Sequence, residues 1–370
     1  MDTSLHIIFR IIFVFILFVL GYKLKYSSKD KFWIVGIFVI LSFAFFVGLR
    51  YGRGIDYMHY LEVYKYGEEN TQEILFKAFN SILRYLGMPF YVATICYDAL
   101  LGLGILYICK FYKNSSFLIL PLFVLCLYGT YENLIRQFIA ISFLFIAIYY
   151  LQIRKLKWSI LFMSCAVCVH TSSIIAIIFL LLFYYFQNFN LKSYRFYLVI
   201  YILLFIFWDT SYLNKYIHFF DYFSDADFLM SGYLNDASRW FTSEGSLNLH
   251  QSIIQLFRIC VSNCIIIYLG YLYSLKKDSF FIYHLFYLGI IINTLANEGD
   301  IEIIYRIAVF FLPFIPILGG IISSHFWTYP KYKLLILFIW INYIYEYTYP
   351  FPYYMSRDIM YIWDVPSSIF

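Results

Sequence analysis

The chain reads as long apolar runs separated by short polar breaks, from Leu5 almost to its end. Several runs approach or exceed the roughly 18 to 20 residues that carry a helix across a hydrocarbon core of about 30 Å, where every backbone N–H and C=O must find its partner within the segment. The pattern predicts twelve spans, over residues 5–22, 32–49, 89–108, 117–129, 136–152, 158–169, 171–186, 196–208, 251–274, 279–297, 307–323 and 334–349. Unbroken runs do not fit a transmembrane barrel, whose strands are short and alternate in polarity. The expected fold class is therefore all-α, a polytopic integral membrane protein forming one transmembrane domain over residues 1–370.

Composition strengthens this reading. Only 13% of the residues are charged and mean hydropathy is +0.74, whereas soluble domains carry about 25% charged residues. The first run is not read as a cleaved signal, because no basic stretch precedes it, no small-residue cleavage site follows it and further spans come after it. All seven cysteines lie in or at the ends of apolar runs and read as packing residues rather than a disulfide framework. Cys165 and Cys168 share a helix face beside His170, but the histidine stands one residue too far along for C-x-x-C-H haem attachment, and no metal site is expected. Aromatic residues reach 24%, together with much Ile, Lys and Asn, a mixture that AT-rich codons produce; tyrosine abundance by itself therefore says little about sugar binding.

Charge orients the spans. Residues 158–186 are long for one tilted helix and short for two. If "HTSS" at 170–173 is the tip of a hairpin, fifteen of the 27 lysines and arginines collect on one side of the membrane, with only Asp30 and Asp278 against them. A single span there would exchange the sides of all later loops and abolish the asymmetry that marks cytoplasmic loops. The hairpin is preferred, which places His170 and both termini outside. Two long segments also fall outside. Residues 50–88 contain "TQEILFKAFNSILRYLG", with Ile74, Leu75, Ala78, Phe79, Ile82 and Leu86 at helical spacing, an amphipathic helix suited to the outer leaflet. Residues 209–250 form the second, carrying six acids together with Arg239 and Trp240.

Candidate chemistry lies on the same side. Arg50, Arg53, Arg136, Arg239 and Arg306 occupy the face that positive-inside statistics deplete, and an arginine cluster there suits an anion such as a diphosphate, whose oxygens match the guanidinium fork. The competing reading of each arginine is snorkelling to headgroups. Arg136 stands with Asn133 and Gln137 at the entrance of a helix, where unpartnered backbone N–H groups add to the positive field; its ordinary alternative is an i, i+4 pair with Glu132. His170 is a candidate general base, against the alternative of a buried structural histidine. Asp56, Glu73, Glu132, Glu298, Asp300 and Glu302 are acids on this face, in spacings that identify no carboxylate dyad. No P-loop, dinucleotide fingerprint or zincin motif is present, and the cytoplasmic loops are short, so nothing points to a nucleotide cofactor or nucleic acid.

Taken in order, "GLRYGRGIDYMHY" at 48–60, the segment "QEILFKAFN" that follows it, "NLIRQFIA" at 133–140, "CVHTSSII" at 168–175 and "EIIYRIAVFFLP" at 302–313 resemble the signature motifs of the EpsG-like, Wzy-type polysaccharide polymerases. The family often has aspartate and valine after "RY" and threonine before "DY", where this chain has Gly52, Arg53 and Ile55. The resemblance implies a C-type membrane glycosyltransferase fold and polymerisation of repeat units carried on undecaprenyl diphosphate at the outer face of a bacterial inner membrane, alongside a flippase and a chain-length regulator. Under that reading Arg50, Arg136 and Arg306, with Arg239 as a fourth, stabilise the leaving diphosphate. His170 is the favoured base, with Asp56 and Glu73 as alternatives. Tyr51, Tyr57, Tyr60 and Gln137 contact sugars, and no cofactor or metal is required because arginines supply the positive charge. The rival readings are an O-antigen ligase, a membrane O-acyltransferase, and a flippase or exporter of lipid-linked sugars. The last would line its path with charge, yet the mid-span ionisable residues are mainly Arg10, Asp98 and Arg258.

Overall fold

The computed structural model describes residues 3–54, 56–67, 73–189, 193–208, 249–277, 279–296, 302–348 and 360–361. Apart from one two-residue strand pair, the regular structure of these residues is helical. The chain divides into two compact units, 1–174 with 343–370, and 175–342.

In the first unit, α1 (Thr3–Tyr26) ends with Lys23 and Lys25 in its last turn, where cations complement the exposed carbonyls. After a two-residue break, Ser28 caps α2 (Lys29–Phe43), its hydroxyl accepting from the Lys31 N–H. The last turn of that run widens to π geometry over Ala44–Gly48 and delivers the chain into strand β1 (Arg50–Tyr51). Two short helices follow, α3 (Tyr57–Tyr66) and α4 (Ile74–Tyr85), before α5 (Phe90–Phe111), α6 (Ser116–Asn133), α7 (Ile135–Gln152) and α8 (Leu156–Val169). A three-residue turn folds α8 back on α7, and Ser159 in α8 donates to the Ala147 carbonyl at 2.9 Å. α5 packs against both α2 and α7, and α1 against α6. Aromatic rings fill these seams: Phe13 stacks on Phe46 at 5.0 Å and meets Phe43 edge-on at 5.4 Å. Some of the tyrosines and phenylalanines that composition left unexplained are core, such as Phe43, Phe123 and Tyr131, while others, such as Phe15, Phe38 and Tyr26, are exposed.

The second unit holds helices Tyr194–Phe207, Leu249–Lys277, Phe281–Leu295, Glu302–Val309 and Phe314–Phe326. Tyr271, Tyr283 and Tyr287 pack ring on ring around Tyr197, and Tyr197 and Tyr283 also meet the His284 ring.

Each of the twelve expected spans falls on helix, and 307–323 falls on two, interrupted at Phe310–Pro313. Among the described residues seven helices are long and apolar enough to cross a membrane, and Leu156–Val169, Ser173–Tyr185, Tyr194–Phe207 and Phe281–Leu295 are shorter apolar helices. Ile7, Ile8, Ile11 and Phe15 of α1 and Ile34, Ile37, Phe38 and Leu41 of α2 are exposed, as side chains facing lipid are. The protein is a helical, polytopic membrane protein. The run from Trp158 to Phe186 is broken at His170–Ser172 and is two helices rather than one.

The expected amphipathic helix is α4. It buries Phe76 and Asn80 and turns Ile74, Ile82 and Leu86 outward, so the apolar stripe points off the protein. α3 was not expected, because its buried face is Tyr57, Tyr60, Leu61 and Tyr64, three of them tyrosines that an aliphatic periodicity does not reveal.

Candidate active site

One carboxylate joins the two residues that sequence reasoning set apart as base and anion binder. Glu73, just ahead of α4, places Oε2 2.7 Å from Arg136 Nη1 and Oε1 2.6 Å from His170 Nδ1. Arg136 is the second residue of α7, and His170 leaves the end of α8 in extended backbone, its N–H still bonded to the Ala166 carbonyl. Helices α7 and α8 form one hairpin and α4 packs on α8, so the three side chains converge from packed elements. Beyond Nε2 of His170, the Ser172 hydroxyl lies at 2.9 Å. Tyr60 completes the cluster: its hydroxyl accepts from Arg136 Nε at 3.4 Å and its ring lies beneath the guanidinium at 5.6 Å.

Burial alone would raise the Glu73 carboxyl, but the His170 hydrogen bond and the Arg136 charge outweigh it and hold Glu73 below the usual carboxylate range. An ionised Glu73 only accepts, so Nδ1 of His170 carries the proton in this contact. Neutral imidazole then has its lone pair on Nε2, facing Ser172. Burial raises the Tyr60 phenol, with Arg136 opposing, which keeps Tyr60 a neutral hydroxyl. Arg136 is the most accessible of the three side chains, 20% exposed against 9% for Glu73 and 11% for His170.

A second charged cluster lies inside the opening motif. Arg53 Nη2 pairs with Glu132 Oε1 at 3.2 Å and donates to the Phe46 and Val47 carbonyls at 3.3 Å, while Nη1 donates to the Tyr128 hydroxyl at 3.2 Å. The π turn leaves those carbonyls available, and Arg53 closes the end of the α2 run. Arg10 of α1 lies over the Tyr128 ring at 4.2 Å. Arg50, wholly buried, sits 3.7 Å from Asp98 and 4.0 Å from Glu132 and makes no hydrogen bond through its guanidinium among the described residues. Two glycines let the motif settle. A Cβ at Gly48 would meet Ile95 Cα at 2.7 Å, and Gly54, at φ +97°, lies so close to the Glu132 carbonyl that a Cβ would come within 2.6 Å. The strand Arg50–Tyr51 pairs antiparallel with β2 (Met360–Tyr361), which binds the motif to the C-terminal segment.

The alternative pairing of Arg136 with Glu132 is not made. Helix is interrupted at Leu134, so the two residues belong to different helices; Glu132 turns to Arg53 and Arg50, and Arg136 to Glu73. Asp56 is half-buried at the start of α3 without a side-chain capping bond. Of the residues expected to touch sugar, Tyr57, Tyr60 and Gln137 are buried, Tyr57 donating to the Arg50 carbonyl, and Tyr51 is partly open. Arg306 lies half-buried in Glu302–Val309 of the second unit, and Arg239 falls outside the described residues. Asp98 and Tyr128 were not foreseen as partners of the motif. The available signal was an acid within an otherwise apolar span, since a charge there requires a partner. Among the described residues no three His, Cys, Asp or Glu side chains converge as a metal ion requires.

Comparison with known sequences decides the family. The sequence model described as "EpsG family" matches residues 33–356. The chain belongs to the EpsG family. All the motifs of the resemblance lie within that match, as do Arg50, Glu73, Arg136 and His170, which the fold gathers into the two clusters. No curated protein and no solved structure matches the chain. As an EpsG family member the chain is a polysaccharide-polymerase-like membrane protein.

Proposed function

We propose that this protein lengthens a polysaccharide by transferring a growing glycan from undecaprenyl diphosphate to the non-reducing end of another lipid-linked repeat unit, at the outer face of a bacterial inner membrane. The observation that carries the reading is Glu73 bridging Arg136 and His170. Glycosyl transfer from a lipid diphosphate needs a cation for the departing diphosphate and a base for the attacking hydroxyl. Arg136, the most open of the trio, takes the first role. His170, oriented through Nδ1 by Glu73, takes the second. The acceptor oxygen attacks the anomeric carbon, the bond to the diphosphate oxygen breaks, and the proton leaves toward Nε2, generating an imidazolium that Glu73 stabilises.

Arg50 and Arg53 support the site in this reading, Arg53 by closing the π turn and Arg50 by its pairing with Asp98 and Glu132. Tyr51 and Asp56, both half-buried, contact the sugars. The apolar stripe of α4, starting next to Glu73, rests in the outer leaflet where the lipid carrier arrives. The fifteen-cation asymmetry supports the outward placement, with twelve crossings and the break at His170 outside.

The test is purified protein in liposomes supplied with lipid-linked repeats. Lengthened glycan on the lipid, without potential or ion gradient, supports the polymerase. Transfer to a different acceptor without lengthening indicates a ligase, and movement of intact donor across the bilayer without new bonds indicates a flippase; either outcome overturns the proposal.

A further inference from the structure

Both ring nitrogens of His170 are engaged by the protein: Nδ1 by Glu73 at 2.6 Å and Nε2 by the Ser172 hydroxyl at 2.9 Å. The residue proposed as base therefore does not present its basic nitrogen openly. His170 is buried, whereas Ser172, two residues on in the turn, is half-buried. An acceptor hydroxyl reaching Nε2 must displace Ser172 or pass its proton through it. Serine suits the second course, since its one hydroxyl donates to Nε2 while its lone pairs accept from outside.

Ser172, His170 and Glu73 also have the connectivity of a nucleophilic triad. Glycosyl chemistry argues against that use, because a glycosyl ether on serine would have to expel an alkoxide, a much poorer leaving group than the diphosphate it replaced. An acyl-transfer role would require an acyl donor that nothing in the proposed reaction supplies.

We propose that Ser172 is the proton relay between the sugar acceptor and His170. This rests on the polymerase reading of the site. As the acceptor oxygen bonds to the anomeric carbon, its proton passes to Ser172 Oγ and the Ser172 proton passes to His170 Nε2. The electron pair of the broken bond leaves with the diphosphate. Serine ends as a neutral hydroxyl and His170 as an imidazolium beside the Glu73 carboxylate, so protons and charge balance. The relay also gives a reason for His170 and Ser172 to sit in one three-residue break between helices, where the backbone sets their separation.

The experiment measures glycan lengthening by wild type, Ser172→Ala and Ser172→Thr in liposomes, with donor binding measured alongside and rates followed across H2O and D2O mixtures. The expected result is a drop of about tenfold or more for Ser172→Ala with donor binding retained, and substantial activity in Ser172→Thr, which keeps the hydroxyl. Wild type should show a curved dependence on deuterium fraction, from two protons in flight, and Ser172→Ala a linear one. Equal rates for wild type and Ser172→Ala, or the same linear dependence in both, would overturn the relay while leaving the polymerase intact. Wild type that lengthens no glycan overturns the polymerase reading itself. If Ser172→Ala is not recovered in the membrane, Ser172→Thr and Ser172→Cys carry the same comparison of isotope curves.

Discussion

Glu73 and His170, ninety-seven residues apart in the chain, meet at 2.6 Å between Oε1 and Nδ1, and the other oxygen of the same carboxylate holds Arg136 at 2.7 Å. Substituting Glu73 therefore acts on base and cation together. Glu73→Gln keeps shape and one hydrogen-bonding oxygen but removes the charge that stabilises an imidazolium. Lengthening should fall about a hundredfold with the protein still in the membrane, and a Glu73→Gln rate within twofold of wild type would exclude this coupling.

The same contacts make a prediction about pH. Glu73 is held below its ordinary range by His170 and Arg136 against the opposing effect of burial. A carboxyl depressed in the folded state stabilises the fold fully above its unfolded value, about 4.3, and loses that contribution as pH falls through the lower folded value. Melting of detergent-solubilised wild type should decline more steeply than that of Glu73→Gln as pH falls from about 5 to about 3. Parallel profiles would show that Glu73 is not the titrating group.

Much of this was legible in the sequence, for reasons particular residues illustrate. Arg136 and His170 stand out because a cation on the face that the charge count reads as outward and a histidine between two apolar runs each go against a local rule. Their union through Glu73 was not legible, since it spans 63 and 97 residues and depends on how α4 crosses α8. Arg50 and Arg53 look alike beside the same span, yet one is enclosed by Asp98 and Glu132 and the other closes the π turn, a difference set by partners 48 and 75 residues away in the chain. Pairing of Arg50–Tyr51 with Met360–Tyr361 leaves no periodic trace in strands of two residues.

Arg53 should matter more for folding than for chemistry. Its partner Glu132 is buried, and removing one member of a buried ion pair typically costs about 3 to 5 kcal/mol, much of it from the stranded charge. Arg53→Ala should lower the melting temperature and membrane yield sharply, and adding Glu132→Gln should restore part of the loss. A double variant no more stable than Arg53→Ala alone contradicts the pairing.

Gly54 offers a backbone test of the same contact. At φ +97° an alanine is strained, and its Cβ would fall 2.6 Å from the Glu132 carbonyl, so Gly54→Ala should destabilise by about 1 to 3 kcal/mol. Gly52, at φ +66° with open space around its Cβ position, is the control: Gly52→Ala should cost less. Equal melting temperatures for the two variants would mean that the motif does not rest on α6 as described.

Arg136 separates charge from geometry most sharply. Its guanidinium is held by Glu73 through Nη1 and by Tyr60 through Nε, so its plane is fixed before any anion arrives. A fixed fork can match two diphosphate oxygens at once, whereas lysine offers a compact ammonium that cannot bond to Glu73, Tyr60 and a bidentate anion in one plane. Arg136→Ala should abolish long polymer, while Arg136→Lys should retain positive charge and slow lengthening by about tenfold or more. Both variants must be compared at equal membrane abundance, because Arg136→Ala also removes the cation paired with the buried Glu73 carboxylate. Normal chain length from Arg136→Ala would remove the residue from the site. Full activity in Arg136→Lys would mean that point charge suffices and that the planar fork held by Glu73 and Tyr60 has no part in the reaction.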